Sequence, residues 1–456
     1  MLKLSFVLSS TNGSHLSNSE HVCFSGVSTD SKKIKGGELF FALRGSRFDG
    51  HDFVSEALVK GAKGAVIEEA KTFKRNGKVI IQVPSTLKAL GDLARAWKNE
   101  FPGLRLAAIT GSNGKTTTKE MTSSILALKF SVLKNSGNFN NLIGLPITLL
   151  KINKNHNAAV LELGMNEFGE IRRLAEIANP DIGAITNVGK AHLEKLGSTE
   201  GVARAKGELV EKFSEKNTFV VNMDDPLIQD IAKGLRCKKI PYGLNSSGVL
   251  ISAKDVRPID FSAVRFEMVL GEKEIPIRIR GIGIHNVMNA LCAAGLAFSF
   301  GCESDEIQAG LERFVPVYMR LEVLDTPYGF KIINDSYNSN PDSVRRAIEE
   351  LMRLKGSGRA IAVIGDMLEL GSRSEQEHKG LGEFLSQLKV DYVISYGEFG
   401  RSVLEGIKDN GKGIYTENYE EAAQAIINYA RKEDLVLIKG SRGMKMENVV
   451  QRVYEG

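Results

Sequence analysis

The chain has 456 residues, 42% of them apolar and 25% charged. This ordinary globular usage excludes a disordered, collagen-like or disulfide-stapled protein and leaves room for roughly three domains. Lys and Arg total 60 against 55 for Asp and Glu; the net charge of +5 suits anionic small substrates and is too dilute to argue for nucleic acid.

Residues 1–10 lack the long apolar core and cleavage site of a signal peptide. Short strands at 38–43 and 64–67 and a helical pattern at 86–100 read as a small α/β unit, closed by Phe101-Pro102-Gly103. The middle part opens on a strand at 104–110, a glycine loop and a helix. Buried-type strands follow at 158–163, 182–188 and 218–222, separated by helical patterns, the alternation of a parallel sheet. An apolar helix at 287–298 comes before a second boundary near Pro316-Val-Tyr318. The last part repeats the alternation with strands at 360–364, 392–395 and 435–438. The most apolar stretch, 287–300, is interrupted by Asn289 and Ser299 and is too short to cross a bilayer. Cys23, Cys237, Cys292 and Cys302 form no C-x-x-C pair, so reduced thiols are expected in a soluble, cytoplasmic protein.

The densest chemistry lies in Ala107-Ala-Ile-Thr-Gly-Ser-Asn-Gly-Lys-Thr-Thr117. A glycine turn lets backbone N–H groups approach phosphates, and the helix that follows adds the positive end of its dipole. Lys115 is then placed for the β- and γ-phosphates and the Thr116 hydroxyl for Mg2+. A full Walker A loop needs Gly five places before Gly114, where Ile109 stands, so this is the shorter G-x-x-G-K-T form. The bland alternative is a helix-starting turn with an incidental lysine.

Other candidates are weaker taken singly. Glu162 ends a predicted strand at the sheet edge where α/β proteins bind ligands, and its carboxylate suits Mg2+; its plain reading is a solvated turn residue. His192 follows a Gly-containing loop at the same edge, although a lone His is usually structural. Lys206, on a predicted helix, reads by default as a solvated lysine. Asn286 either caps the apolar helix or contacts an adenine. Arg320, Asp335 and the Asn-, Asp- and Ser-rich run 334–342 read first as a loop. Lys439-Gly-Ser-Arg442 follows a strand and again offers N–H groups and positive charge.

Taken together, six motifs occur in the order seen in the Mur ligase superfamily. They are Thr110-Gly-Ser-Asn-Gly-Lys-Thr-Thr117, Leu161-Glu-Leu-Gly164, the segment 187–194, Ala205-Lys-Gly207, Gly283-Ile-His-Asn286 and Asn334-Asp-Ser-Tyr337. The chain resembles that superfamily from about Ser28 to Glu447. Asn138-Phe-Asn-Asn-Leu-Ile-Gly-Leu-Pro146, Tyr337-Asn-Ser-Asn-Pro341, Gly365-Asp-Met-Leu-Glu-Leu-Gly371 and the segment 439–447 resemble its dipeptide-adding members. Ser28-Thr-Asp-Ser31, the segment 36–42 and Asp49-Gly-His51 look like the family's uridine-nucleotide domain. Two small departures are Lys32, where Arg is usual, and Met319, where Gly is common.

The resemblance implies an α/β protein of three domains: a small N-terminal α/β domain for the UDP substrate (1–100), a central P-loop-type parallel-sheet ATPase domain (101–316) and a C-terminal Rossmann-like α/β domain (317–456). It implies an ATP-dependent ligase that joins D-alanyl-D-alanine to UDP-N-acetylmuramoyl-tripeptide through an acyl phosphate. ATP would be held by Thr110, Gly111, Ser112, Asn113, Gly114, Lys115, Thr116 and Thr117, with Asn286, Arg320 and Asp335. Lys115, Glu162, His192 and Lys206 would be catalytic. Thr116, Glu162, His192 and a carbamylated Lys206 would ligate Mg2+. Ser28, Asp30, Asn138, Asn140, Asn141, Asn338, Ser441 and Arg442 would serve the substrate side. A monomer is expected, with no nucleic-acid partner and no membrane span. The rival readings are a sister ligase adding a diamino acid, a folylpolyglutamate synthetase, an inactive nucleotide binder, and a P-loop ATPase switch, against which Ile109 counts.

Overall fold

The computed structural model describes residues 1–16, 21–45, 48–69, 77–409 and 411–455. The chain divides into two compact units. One comprises 1–108, 130–165 and 169–183, and the other 109–129, 166–168 and 184–456. The division runs through the strands Arg105–Thr110 and Ile182–Ile185.

In the first unit, a five-stranded sheet runs in the order Ser14–His15, Val79–Gln82, Gly64–Ile67, Leu39–Phe41, Val27–Ser28. Its last four strands are parallel, and Ser14–His15 is an antiparallel edge. Leu39-Phe-Phe41 and Gly64-Ala-Val-Ile67 are apolar at successive positions because both sheet faces are covered. On one face Phe41, Val66 and Ile81 pack with Ala89, Leu90 and Leu93 of the helix Thr86–Asn99, which Ser85 caps through Lys88 N. On the other, Phe40, Ala65 and Ile80 pack with Val54, Ala57 and Leu58. The parallel strands Ala158–Glu162 and Val132–Lys134 also belong to this unit.

In the second unit the expected strand Thr218–Asn222 is present and pairs in parallel with Lys238–Tyr242, a strand the sequence reading did not include. Beyond them the sequence reading missed an antiparallel meander, Ile251–Pro258, Ala263–Leu270 and Lys273–Arg280. Its signal was period-two alternation: Ile275, Ile277 and Ile279 are buried while Glu274, Pro276, Arg278 and Arg280 are exposed. The helix Ile284–Ser299 begins three residues earlier than its apolar run suggested. The strand expected at 182–188 stops at Ile185, because residues 186–189 leave the sheet to bond the phosphate loop.

A six-stranded sheet completes the second unit, in the order Glu322–Asp325, Lys331–Asp335, Leu435–Lys439, Ala360–Gly365, Tyr392–Tyr396, Gly413–Thr416. All its pairs are parallel except the first hairpin. Such a sheet offers ligands the carboxyl ends of its strands, where Asp335 and Lys439 stand. The expected α/β architecture is therefore present. No helix among the described residues is long and apolar enough to cross a membrane.

Candidate active site

The phosphate loop lies between the strand Arg105–Thr110 and the helix Lys115–Leu126. Two glycines make it possible. Gly114 caps the helix at φ +81°, and a Cβ there would collide with Asn289 Oδ1. Gly111 has φ +151°, and a Cβ there would collide with Thr186 Oγ1. The loop is bonded to residues 186–189 on its own terms: Ser112 N donates to Asn187 O at 2.9 Å, Asn113 N to Asn187 Oδ1 at 3.0 Å, and Thr186 Oγ1 to Asn113 O at 2.5 Å. Lys115 curls over the loop, with Nζ donating to Gly111 O at 2.8 Å.

Within the second unit this loop faces a cavity of about 450 Å³, a size that holds a small-molecule ligand. Asn113, Gly114 and Thr117 line it on one side, Asn286 and Asn289 along the helix, and Arg320, Asp335 and Lys439 on the far side. Asn286 sits inside the first helical turn and Gly283 is the cap, so the capping alternative for Asn286 is overturned. The Asn286 amide is committed locally, Nδ2 donating to Ile282 O at 2.7 Å and Oδ1 accepting from Asn289 at 3.3 Å.

The far wall is built from buried charge. Lys439 Nζ, on a side chain 2% exposed, meets Asp335 Oδ2 at 2.5 Å and donates to Asn338 O at 2.9 Å. Burial lowers the Lys439 pKa, and Asp335 opposes that shift. Asp335 Oδ1 accepts from Leu321 N at 3.2 Å. The Arg320 guanidinium lies over the Tyr337 ring at 4.1 Å. Its neighbours Met319 and Leu321 both take left-handed backbone, φ +59° and +48°, at about 1–2 kcal/mol each for a residue with a Cβ. That conformation is the physical reason a glycine suits position 319.

Lys206 lies on the helix Thr199–Gly207 and is 1% exposed, which overturns its reading as a solvated lysine. Burial drives its pKa well below the ordinary 10.5, and the Lys115 ammonium pushes the same way. His192, at φ +55°, has Nδ1 2.6 Å from Glu369 Oε2, and that contact holds Glu369 below the usual carboxylate range. Among the described residues no three His, Cys, Asp or Glu side chains converge as a metal site.

In the first unit, Glu162 is 3% exposed rather than a solvated turn residue. Its Oε1 accepts from Asn140 Nδ2 at 2.8 Å, and its backbone N–H and C=O both bond the Asn135 amide at 2.9 Å. Asn141 Oδ1 accepts from Ile143 N and Gly144 N at the start of a short helix, and Asn138 is exposed. Ser28 and Asp30 share a turn: Ser28 Oγ donates to Asp30 O at 3.0 Å, and Asp30 Oδ1 accepts from Lys32 N at 2.9 Å. In the second unit Asn338, Ser441 and Arg442 bond one another's segment. Arg442 N donates to Asn338 Oδ1 at 3.3 Å and Ser441 Oγ to Ser339 O at 3.2 Å; none of the three lines the cavity.

Sequence reasoning missed several lining residues. Asn289 stands one helical turn after Asn286, an N-x-x-N signal on one helix face. Asp224 and Asp225 follow the strand Thr218–Asn222 at its carboxyl end, the same signal that singled out Glu162. Asn135 and Glu369 bond predicted site residues from positions no spacing rule connects to them.

Three family models match the chain: Mur ligase family, catalytic domain, over 24–98; Mur ligase middle domain over 109–297; and Mur ligase, glutamate ligase domain, over 319–442. A UDP-N-acetylmuramoyl-tripeptide--D-alanyl-D-alanine ligase of Bacillus subtilis is 38% identical over 440 residues, covering 96% of this chain and 94% of that protein. The crystal structure of MurF from Acinetobacter baumannii superposes with a TM-score of 0.91 at 31% identity, covering 100% of this chain and 99% of that one. The structure of MurF ligase from Thermotoga maritima in complex with ADP has a TM-score of 0.84 at 30% identity, covering 94% and 97%.

Proposed function

This chain belongs to the Mur ligase family, and we propose that it uses ATP to join D-alanyl-D-alanine to UDP-N-acetylmuramoyl-tripeptide. The observation that carries the reading is the cavity lined by Asn113, Gly114 and Thr117 at the phosphate loop and by Arg320, Asp335 and Lys439. The near full-length likeness to ligases of that name, one of them crystallised with ADP, supports it against the rival readings. The three matched segments support domain boundaries near residues 100 and 316.

The chemistry joins two anions before it joins two substrates. A carboxylate oxygen of the tripeptide attacks the γ-phosphorus of ATP, and ADP leaves. The amine of D-alanyl-D-alanine then attacks the acyl carbon, and phosphate departs with the former carboxylate oxygen. Lys115 leaves its loop carbonyls to neutralise the phosphate chain, and loop N–H groups orient it. Asn286 faces adenine, and Arg320 and Asp335 face the ribose and phosphates. Little covalent chemistry falls to the protein itself.

By donor chemistry the Thr116 hydroxyl and the Glu162 carboxylate are hard oxygens of the kind Mg2+ takes, and His192 would offer a ring nitrogen. Lys206 joins them only as a carbamate. Its burial favours the neutral amine that adds to CO2 with loss of a proton, and the product places an anionic oxygen donor beside Lys115. When bound, Mg2+ offsets phosphate charge during transfer. Ser28, Asp30, Asn138, Asn140 and Asn141 serve the UDP-sugar side, and Asn338, Ser441 and Arg442 the incoming dipeptide. The protein acts as a monomer in the cytoplasm.

The test is phosphate release with UDP-N-acetylmuramoyl-tripeptide and ATP. Release on adding D-alanyl-D-alanine, and none with free diamino acids or glutamate, is expected. Release with a free amino acid instead would transfer the chain to a sister ligase.

A further inference from the structure

Asn113 of the phosphate loop and Asn340, 227 residues later, meet through their carboxamides. Asn340 is the N-cap of the helix Pro341–Leu354, with Oδ1 accepting from Ser343 N at 2.9 Å. Its oxygen is committed to the cap, so only its Nδ2 can face outward. That nitrogen donates to Asn113 Oδ1 at 2.9 Å. A planar amide whose oxygen points at the helix must turn its nitrogen the other way. Asn113 Nδ2 is buried and has no hydrogen-bond partner among the described residues, on a residue that lines the cavity. Buried amide donors without partners are rare, and this one stands beside the loop that approaches phosphate.

We infer that Asn340 is a positioning residue that dictates the flip of the Asn113 amide, so that Asn113 Nδ2 donates to a phosphate oxygen of bound nucleotide. The opposite flip would present Oδ1, an acceptor that repels phosphate. Sequence position 340 lies in the third predicted domain, so this donor on the phosphate loop is aimed only when the helix Pro341–Leu354 sits beside it. The inference rests on reading the cavity as a nucleotide site.

Asn340→Ser and Asn340→Gly both keep a residue that caps helices well, and neither carries the amide donor. Titration calorimetry of the full chain with Mg2+ and ATP should show affinity weakened about tenfold in each, the scale of a charge-assisted hydrogen bond. The unfolding temperature should move by no more than about 2 °C, because the cap survives. In an Asn113→Ala background the same two changes should weaken ATP binding no further. Unchanged affinity in both variants, or an equal tenfold loss in the Asn113→Ala background, would overturn the inference. No ATP binding by the unsubstituted chain would instead overturn the nucleotide reading on which it stands.

Discussion

Asn113, Gly114 and Thr117 of the loop 110–117 face one cavity with the wall of Arg320, Asp335 and Lys439, and loop and wall are built by opposite means. The loop is backbone: two glycines at positive φ, a strand before, a helix after, and bonds to residues 186–189. Its groups are offered to a ligand at little internal cost. The wall is side-chain charge taken out of water, paired with partners about a hundred residues away and flanked by two strained residues. Its cost is met only while every partner is in place. Substitutions should therefore damage the loop through rate and the wall through stability.

The sharpest break is Lys115→Ala. Removing a preorganised cation should cost about 10²–10³ in ligation rate with the unfolding temperature nearly unmoved. Near-normal turnover at saturating ATP would show that the loop is not where phosphate is transferred.

Asp335→Asn attacks the wall. It leaves the Lys439 ammonium buried without its counter-ion and should cost about 3–5 kcal/mol in urea unfolding. Asp335→Asn combined with Lys439→Met should recover most of that loss. A single variant as stable as the parent would mean the pair is solvated and the contrast with the loop is false.

Lys206 separates stability from function within one residue. Its folded pKa is lowered, so between that value and 10.5 the unfolded chain binds more protons and stability rises with pH. In CO2-free buffer Lys206→Met should raise stability below pH 10.5 and flatten that slope. Ligation should be lost in the same variant, and in Lys206→Arg, which cannot form a carbamate. Full activity in Lys206→Arg would return the residue to a structural role.

The smallest expected effect is Tyr337→Ala, which removes the ring under Arg320. ATP should bind more weakly by about 0.5–2 kcal/mol in calorimetry, with turnover at saturation little changed. An unchanged affinity would detach Arg320 from the nucleotide.

The same division explains what could be read from sequence. Gly111, Gly114 and Lys115 sit within five residues between a strand and a helix, so the loop declares itself locally. Strands covered on both faces, such as Gly64–Ile67 and Thr218–Asn222, were found at their observed bounds because their buried centres, Ala65-Val-Ile67 and Phe219-Val-Val221, are continuous apolar runs. The meander 251–280 was missed because its one-sided alternation, with Arg and Glu between isoleucines, looks unlike a buried strand. Asn340 and Glu369 were missed as partners because their contacts with Asn113 and His192 exist only after the chain has folded. Position 319 is instructive: the sequence marked it as a departure, and the left-handed backbone there gives the reason.

In the proposed reaction a tripeptide carboxylate oxygen passes to the γ-phosphorus of ATP in this cavity. UDP-N-acetylmuramoyl-tripeptide carrying 18O in the carboxylate that is activated, incubated with ATP and D-alanyl-D-alanine, tests that directly by mass spectrometry of the released phosphate. Phosphate carrying one 18O atom per turnover is expected. Phosphate free of label, alongside product formed at the normal rate, would contradict the acyl-phosphate route and the role given to the loop.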